Sequence, residues 1–323
     1  MATLTTSGLG LSELAKRKDP SGNQAVIAEV LVKERALVND APWIEANDTF
    51  SNVSLRRSRQ PGGNWRKLNS GVAIEKSDTA QVVDVIGLLE SRAENDIKYI
   101  DSNPSPKQAR NDEAMAFVEG LGDSMETAMI YSNTTTTPEK FTGLAPRLAN
   151  ISATTNVINE GGTGSDLTSI FVVTWGRLAV HMVYSKNALA GLQHRNLGIE
   201  SVTDIGSNKF SAYVDVFTWD AGMVVRNNKC IGRLANIETA GSSNLFDEDN
   251  LITLTNRMKI GPTSRIYVNK TIMTQMQIAL KDKNNVNYGH EGGEGLSGRR
   301  LITFNQIPIM LTEGIIDTET ALT

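Results

Sequence analysis

Apolar residues recur at three- and four-residue intervals through the segment 106–131, where Ala114, Phe117, Val118, Leu121, Met125, Ala128 and Met129 fall near one side. That period predicts an amphipathic helix. Its start is marked by Ser105-Pro106-Lys107-Gln108: a Ser N-cap, Pro at the first helical position and Gln closing a capping box. At 1.5 Å per residue the helix makes a rod of about 40 Å. Gly120 and Gly122 each cost about 1 kcal/mol against Ala, so packing is expected to compensate them. The rod stops at NTTTTPEKFTGL (133–144). β-Branched threonines crowd a helical turn, and Pro138 enforces the exit. Phe141 and Leu144 are expected to re-anchor the chain, with Gly143 adopting a φ other residues avoid.

Ahead of the rod the pattern is different. Residues 1–45 are polar, with one helical pattern after Pro20 (Ala25, Val26, Ile27, Val30, Leu31 and Leu37) and no core of their own. They form an arm. Residues 46–84 hold a strong turn signal, Gln60-Pro61-Gly62-Gly63-Asn64, between two polar strands. The expected shape is a long two-stranded ribbon, which is marginal by itself in water and so should lie on something.

Beyond the threonine run the chain turns β-rich. TSIFVVTWG (168–176) and LAVHMVYSK (178–186) predict buried and half-buried strands, with GLQHRNLG as the loop after them. Residues 210–237 predict a long hairpin turning near Arg226-Asn227-Asn228-Lys229. A helix over Asp247–Lys259 follows, then a strand at Ser264–Val268. Asn269 caps a helix carrying Ile272, Met273, Met276 and Leu280. A glycine-rich loop, YGHEGGEGLSG, leads to a final strand, LITFNQIPIML.

Composition narrows the function classes. The 323 residues are 40% hydrophobic and 21% charged, ordinary for a globular chain with a length prior of two domains. A net charge of -4 argues against a dedicated nucleic-acid binder as a whole, though not against a local patch. No apolar run approaches the ~18 residues of a membrane span, and the N-terminus lacks the apolar core of a secretory signal. The single cysteine, Cys230, rules out an internal disulfide and suits a reducing cytoplasm. Its setting, MVVRNNKCIGRLANI, is that of a small packing residue.

Candidate chemistry is thin. His181, His194 and His290 lie on separate segments without metal-ligand spacing. GGEGLSGRR follows a helix, precedes a strand and lacks the phosphate-loop lysine. GGTGSD is not set in a βαβ unit. No nucleophile elbow occurs. No catalytic, cofactor-binding or metal-ligating residue is therefore expected. The charges are more informative. Between Thr49 and Ile74 lie Arg56, Arg57, Arg59, Arg66 and Lys67, and no acid. Such a ribbon could meet nucleic acid, with Trp65 stacking on a base, or an acidic protein surface. The long helix carries Asp112, Glu113, Glu119, Asp123 and Glu126 on the side expected to be exposed, which favours a protein partner.

Taken together, arm, ribbon, long helix, β-rich body and small α/β unit resemble the major capsid proteins of tailed bacteriophages, of podovirus type, with the Hong Kong 97-like fold shared by encapsulin shells. DPSGNQAVIAEVL resembles the family's N-terminal helix, and PEKFTGL its turn after the spine helix. WDAGMVVRNNKCIGRLANI resembles its long P-domain hairpin. RIYVNKTIMTQMQIAL and ITFNQIPIMLTEGI resemble the A-domain strand, helix and later strand. In the type member those A-domain elements precede the hairpin; here they follow it, which suggests a rearranged chain order.

The resemblance implies an α+β chain with an N-terminal arm at 1–45, an E-loop at 46–84, a P-domain at 85–240 and an A-domain with the C-terminal strand at 241–323. The P-domain would hold the spine helix 106–131 and the long hairpin. It implies a non-catalytic protein, assembled in the host cytoplasm into pentamers and hexamers of one icosahedral virion shell around double-stranded DNA held by non-specific contact. An encapsulin-like compartment is the alternative. Implied partners are other copies, a portal and possible cement protein, and no membrane. Because only the arm precedes the ribbon, a separately encoded scaffolding protein, or none, is expected. Charge complementarity adds one expectation of its own: Arg56, Arg57, Arg59, Arg66 and Lys67 of one copy approach Asp112 to Glu126 of a neighbour.

Overall fold

A computed structural model describes residues 35–102, 104–152, 155–204, 206–279, 288–291 and 301–323. The helical pattern after Pro20 lies outside the described residues except for Leu37, as do Leu280 and the glycine-rich stretch 292–300.

In chain order, a short helix α1 (Ala36–Asp40) leads to strand β1 (Trp43–Glu45), then β2 (Ser51–Arg59) and β3 (Asp78–Val85). β4 (Gly87–Asp96) and a one-turn helix α2 (Ile97–Asp101) precede the rod α3 (Pro106–Tyr131). The carbonyl of Ser105 accepts from Gln108 N and Ala109 N, both at 3.1 Å, so the helix begins at the expected Ser-Pro step. After it come α4 (Leu144–Arg147), β5 (Val157–Asn159), β6 (Leu167–Thr174), β7 (Val180–Tyr184), β8 (Gln193–Thr203) and β9 (Lys209–Val225). The rest is β10 (Ile231–Glu238), α5 (Glu248–Arg257), β11 (Ser264–Val268), α6 (Lys270–Ala279), β12 (Tyr288–Glu291), β13 (Leu301–Phe304) and β14 (Ile307–Leu311).

Two compact units share these elements. The first takes residues 88–125 and 191–220; the second takes 34–87, 126–190 and 221–323. The division falls inside α3, between Met125 and Glu126, and inside β9, between Asp220 and Ala221. In the first unit β8 runs antiparallel to the first part of β9, from Gln193↔Thr218 to Thr203↔Lys209. Its core joins Ala93, Leu121 and Phe217 to the half-buried Leu89, Ala114, Phe117 and Val118, and the Phe117 and Phe217 rings stack with centroids 6.2 Å apart.

In the second unit seven strands form one sheet in the order β12-β13-β14-β11-β6-β10-β5. β6 is an inner strand between β11 and β10, and every one of its residues is buried, as expected when both faces of a strand are covered. Leu251 and Leu254 of α5 and Ile272 and Met276 of α6 pack with Ile170, Val172, Leu234 and Ile266 of the sheet. Asn269 caps α6 through Ile272 N at 2.9 Å. Elsewhere in this unit β7 pairs parallel with β1 and antiparallel with the end of β9, while β2 and β3 pair only with each other.

Three strand expectations are corrected. The hairpin over 210–237 is not formed. β9 pairs with β7 and β8, whereas β10 pairs with β5 and β6. Asn227 accepts from Lys229 N at 3.0 Å and starts a single 3-10 turn, Asn228–Cys230, after which the chain enters the other sheet. The chain-order difference inferred from that hairpin loses its footing. Next, GLQHRNLG is not a loop. From Gln193 it belongs to β8, an eleven-residue strand whose alternation is hidden by a bulge at Asn196/Gly198, where Gly198 has φ +85°. Finally, LITFNQIPIML is two strands, β13 and β14, joined at Asn305 and Gln306 with φ of +46° and +65°. Both central residues at positive φ make the turn that suits a two-residue hairpin.

Candidate assembly surfaces

The ribbon is two-faced, in the reverse of the usual sense. Asn52, Ser54 and Asp84 are buried, while the alternate residues Val53, Leu55, Val83 and Val85 lie on the other face. Leu55 is 71% exposed and Val83 55%. The polar face is fastened by Arg147 of α4, whose Nη2 donates to Asp84 Oδ1 at 2.8 Å and to the Met223 carbonyl at 3.0 Å. Arg56 also turns inward, donating to Asn228 Oδ1 at 3.1 Å and to the Val225 carbonyl. It is engaged within its own chain, unlike the exposed Arg57, Arg59, Arg66 and Lys67.

The expected turn at Gln60–Asn64 is displaced. Glu75 accepts from Gly63 N at 3.0 Å and Asn64 Nδ2 at 2.9 Å, holding two irregular legs together beyond the paired strands. The chain reverses at Lys67–Ser70, where Ser70 N donates to the Lys67 carbonyl at 3.2 Å and Asn69 has φ +60°. Trp65 is fully exposed on this extension.

The acidic side of α3 is less open than its period suggests. Asp112, Glu119 and Asp123 are half-buried, and Glu113 and Glu126 are buried. Up to about Leu121 one side of the helix is covered; from Met125 on more of it is, with Met125, Glu126, Met129 and Ile130 all buried and Thr127 still exposed. Glu126 Oε1 accepts from Leu37 N at 3.2 Å. Beyond its first turn the exposed positions are Asn111, Met115, Ala116, Gly120, Ser124 and Thr127, so the outermost stripe there is neutral and the acids flank it. None of the five acids is fully exposed, and only the flanking Asp112, Glu119 and Asp123 are partly open.

At the end of α3 the threonines form a hydrogen-bonded turn. The Asn133 carbonyl accepts from Thr136 N at 3.2 Å and Thr137 N at 2.9 Å, and the Asn133 side chain from Thr135 N at 3.0 Å. Pro138 follows in the exposed turn, and Phe141 and Leu144 are buried. Gly143 is needed for a different reason from the one expected. Its φ of -80° is open to any residue. A Cβ there, however, would lie 2.7, 2.8 and 2.9 Å from the carbonyl oxygens of Ala128, Met129 and Ile130. Its N–H donates to the Ser132 carbonyl at 2.8 Å, so the chain leaves the helix hard against its last turn.

Two polar clusters escaped sequence inspection. In the second unit the buried Glu319 accepts from Arg233 Nη2 at 2.9 Å, from Tyr131 OH at 2.5 Å and from Ser169. Burial and then the Glu319 carboxylate push the Tyr131 phenol far above its ordinary value, so it remains a donor. In the first unit Arg110 grips the buried Asp215 through Nε and Nη2, both at 2.9 Å, and His194 Nε2 meets the same carboxylate at 2.8 Å. Each cluster joins residues 80 or more positions apart in at least one pair, a separation no local pattern reveals. His181 is buried, and burial and Arg226 hold its pKa below the ordinary value. The buried Cys230 thiol is pushed up by burial, in keeping with a packing role.

The family model for major capsid protein GP7 matches residues 19–323. The chain belongs to the major capsid protein GP7 family. Among curated proteins none matches. Of solved structures, a chain of bacteriophage Epsilon15 is similar at 27% identity and TM-score 0.75, over 100% of both chains. The capsid of bacteriophage JBD30 shares the fold at 11% identity and TM-score 0.52, over 95% of this chain and 99% of that one. An encapsulin of Synechococcus elongatus PCC 7942 has 13% identity and a TM-score of 0.44, over 71% of this chain and 97% of that one. The α+β architecture is thus the Hong Kong 97-like fold, and this member of the GP7 family is a tailed-phage major capsid protein. Among its described residues no His, Cys, Asp or Glu side chains are grouped as metal ligands, and no helix is long and apolar enough to cross a membrane.

Proposed function

We propose that copies of this chain assemble, without catalysis, into the pentamers and hexamers of an icosahedral virion shell around double-stranded DNA. The carrying observation is the ribbon. Phe50, Leu55, Val83 and Val85 stand exposed at its base, with Trp65, Leu68 and Ile74 on its extension, while its polar face is the one buried. An apolar sheet face turned to water is a contact surface awaiting a partner, and a second copy supplies one. The ribbon then takes the E-loop role, α3 the spine role and residues 241–323 the A-domain role. Arg57, Arg59, Arg66 and Lys67 add charge complementarity toward Asp112, Glu119 and Asp123 of a neighbour, which serves register more than affinity. Assembly in the host cytoplasm and attachment to a portal complete the proposed setting.

The test is negative-stain microscopy of the purified full chain, expressed alone and with phage partners. Closed shells of uniform size, holding DNA when taken from infected cells, are the expected result. Stable monomers under both conditions would overturn the shell assignment, and shells that carry an enzyme cargo in place of DNA would overturn the genome assignment.

A further inference from the structure

A second surface of this chain has a different chemistry. Within the second unit a cavity of about 440 Å³ opens between the segment after α4, the start of β5, the turn before β10 and the end of α5. That volume is in the ~300–1,000 Å³ range of small-molecule sites. Three cations line it, Arg147, Lys229 and Arg257, together with Asn150, Asn156 and Asn228, and no carboxylate is among its described lining residues. In a chain of net charge -4, three cations around one opening, of which Arg147 alone is ion-paired among the described residues, to Asp84, are not a consequence of general basicity.

We propose that this cavity is a phosphate-binding site, taking inorganic phosphate or the phosphodiester of a nucleic-acid strand. Its walls are built. Asn156 Nδ2 donates to the carbonyls of Asn228 and Ile231, both at 3.0 Å, which fixes the rim. Arg56 donates to Asn228 Oδ1, leaving the Asn228 amide nitrogen as the end that can donate to a ligand. Arg147 is anchored from behind by Asp84. Lys229 and Arg257 are exposed, and Arg257 makes only a 3.4 Å contact to the Thr155 carbonyl. Neither is in an ion pair among the described residues. The dipole of α5 accounts for a cation in its last turn; it does not account for Lys229 and Arg147 around the same opening. Arg147 Nε and Nη2 are already held by Asp84 and the carbonyls of Thr142 and Met223; the Arg257 guanidinium and the Lys229 ammonium, with the Asn228 amide beside them, suit a multi-oxygen anion of more than unit charge.

The experiment uses the purified full chain with two probes: a fluorescein-labelled DNA duplex, followed by anisotropy, and inorganic phosphate, followed by titration calorimetry. Lys229→Ala/Arg257→Ala is compared with Arg195→Ala/Lys209→Ala, an equal charge change at exposed positions of the first unit. The pocket variant should lose roughly tenfold or more in affinity, and its duplex binding should lose about 1.8 from the log–log salt slope, as expected for two phosphate contacts. The control should lose little. Loss with the duplex places a nucleic-acid backbone in the pocket and rests on the packaged-DNA proposal; loss with phosphate alone assigns a free-phosphate site and does not. No binding of either probe, equal losses in both variants, or displacement by polyglutamate as effective as by phosphate would overturn it. Microscopy of the same preparations for shells separates failure of this site from failure of the shell proposal.

Discussion

Gly120, within α3, and Gly143, packed against its last turn, show how one residue type serves opposite ends. At Gly143 the space for a Cβ is already filled by three backbone carbonyls of the last turn of α3, and backbone oxygens cannot swing aside as a side chain can. Gly143→Ala should therefore cost roughly 1–3 kcal/mol, the usual range for overpacking. At Gly120 no heavy atom lies within 4 Å of the position a Cβ would take, so nothing within the chain requires glycine there. Gly120→Ala should stabilise by up to about 1 kcal/mol through helix propensity alone. Urea denaturation of the two variants against the parent chain measures both signs. A neutral Gly143→Ala would mean that the exit from α3 is looser than described.

Elements meet through groups whose charge depends on pH, and the loop after β5 supplies a clear case. Glu160 accepts from Asn250 Nδ2 at 2.9 Å and from Asp247 N at 3.4 Å, at the first turn of α5. Burial raises its pKa to about 7 despite those donors, and the nearby Asp247 adds to the rise. A carboxyl with a folded pKa above its unfolded value binds more protons when folded, so its effect on stability falls as pH rises from about 4.5 to 7. Because Glu160 is partly exposed, solvent screening holds the effect to about 1–2 kcal/mol. Glu160→Gln should flatten the stability profile between pH 5 and 8, seen as convergence of the thermal midpoints; an unchanged slope would sink the assignment. The elements themselves were unevenly legible. α3, β11 and the start of α6 carry their own signals: a capping sequence, an isolated apolar run, an Asn cap. β8 is hidden in the sequence because a bulge breaks its alternation, and the 210–237 hairpin does not form because adjacency in sequence does not decide which sheet a buried strand joins. The candidate contacts divided likewise: the five bases were visible as a run, but only packing shows that Arg56 faces inward and that Glu113 and Glu126 are covered.

At the scale of the whole molecule, the groups proposed to join copies are an apolar ribbon face, four basic residues on the ribbon and its extension, and three acids flanking a neutral stripe on α3. An exposed ion pair contributes only ~0–1 kcal/mol, so charge cannot hold a shell together by itself; the apolar face has to provide most of the contact free energy. Charge can still decide register, because each contact repeats at every copy and a reversed charge turns attraction into repulsion at all of them. Arg57→Glu/Arg59→Glu should leave the chain folded, since both side chains are exposed, and should lower the yield of closed shells at least about tenfold at low salt, where ~1.4 kcal/mol per contact suffices. Raising ionic strength to about 1 M, where the Debye length is ~3 Å, should narrow the gap between variant and parent, because screening removes the repulsion and leaves the apolar contact. Adding Glu119→Lys/Asp123→Lys should restore part of the low-salt yield if these acids are the partners. Sedimentation of assembly mixtures gives each yield directly. Normal assembly of the arginine variant at low salt would exclude the charged contact while leaving the apolar face of the ribbon as the surface that joins copies.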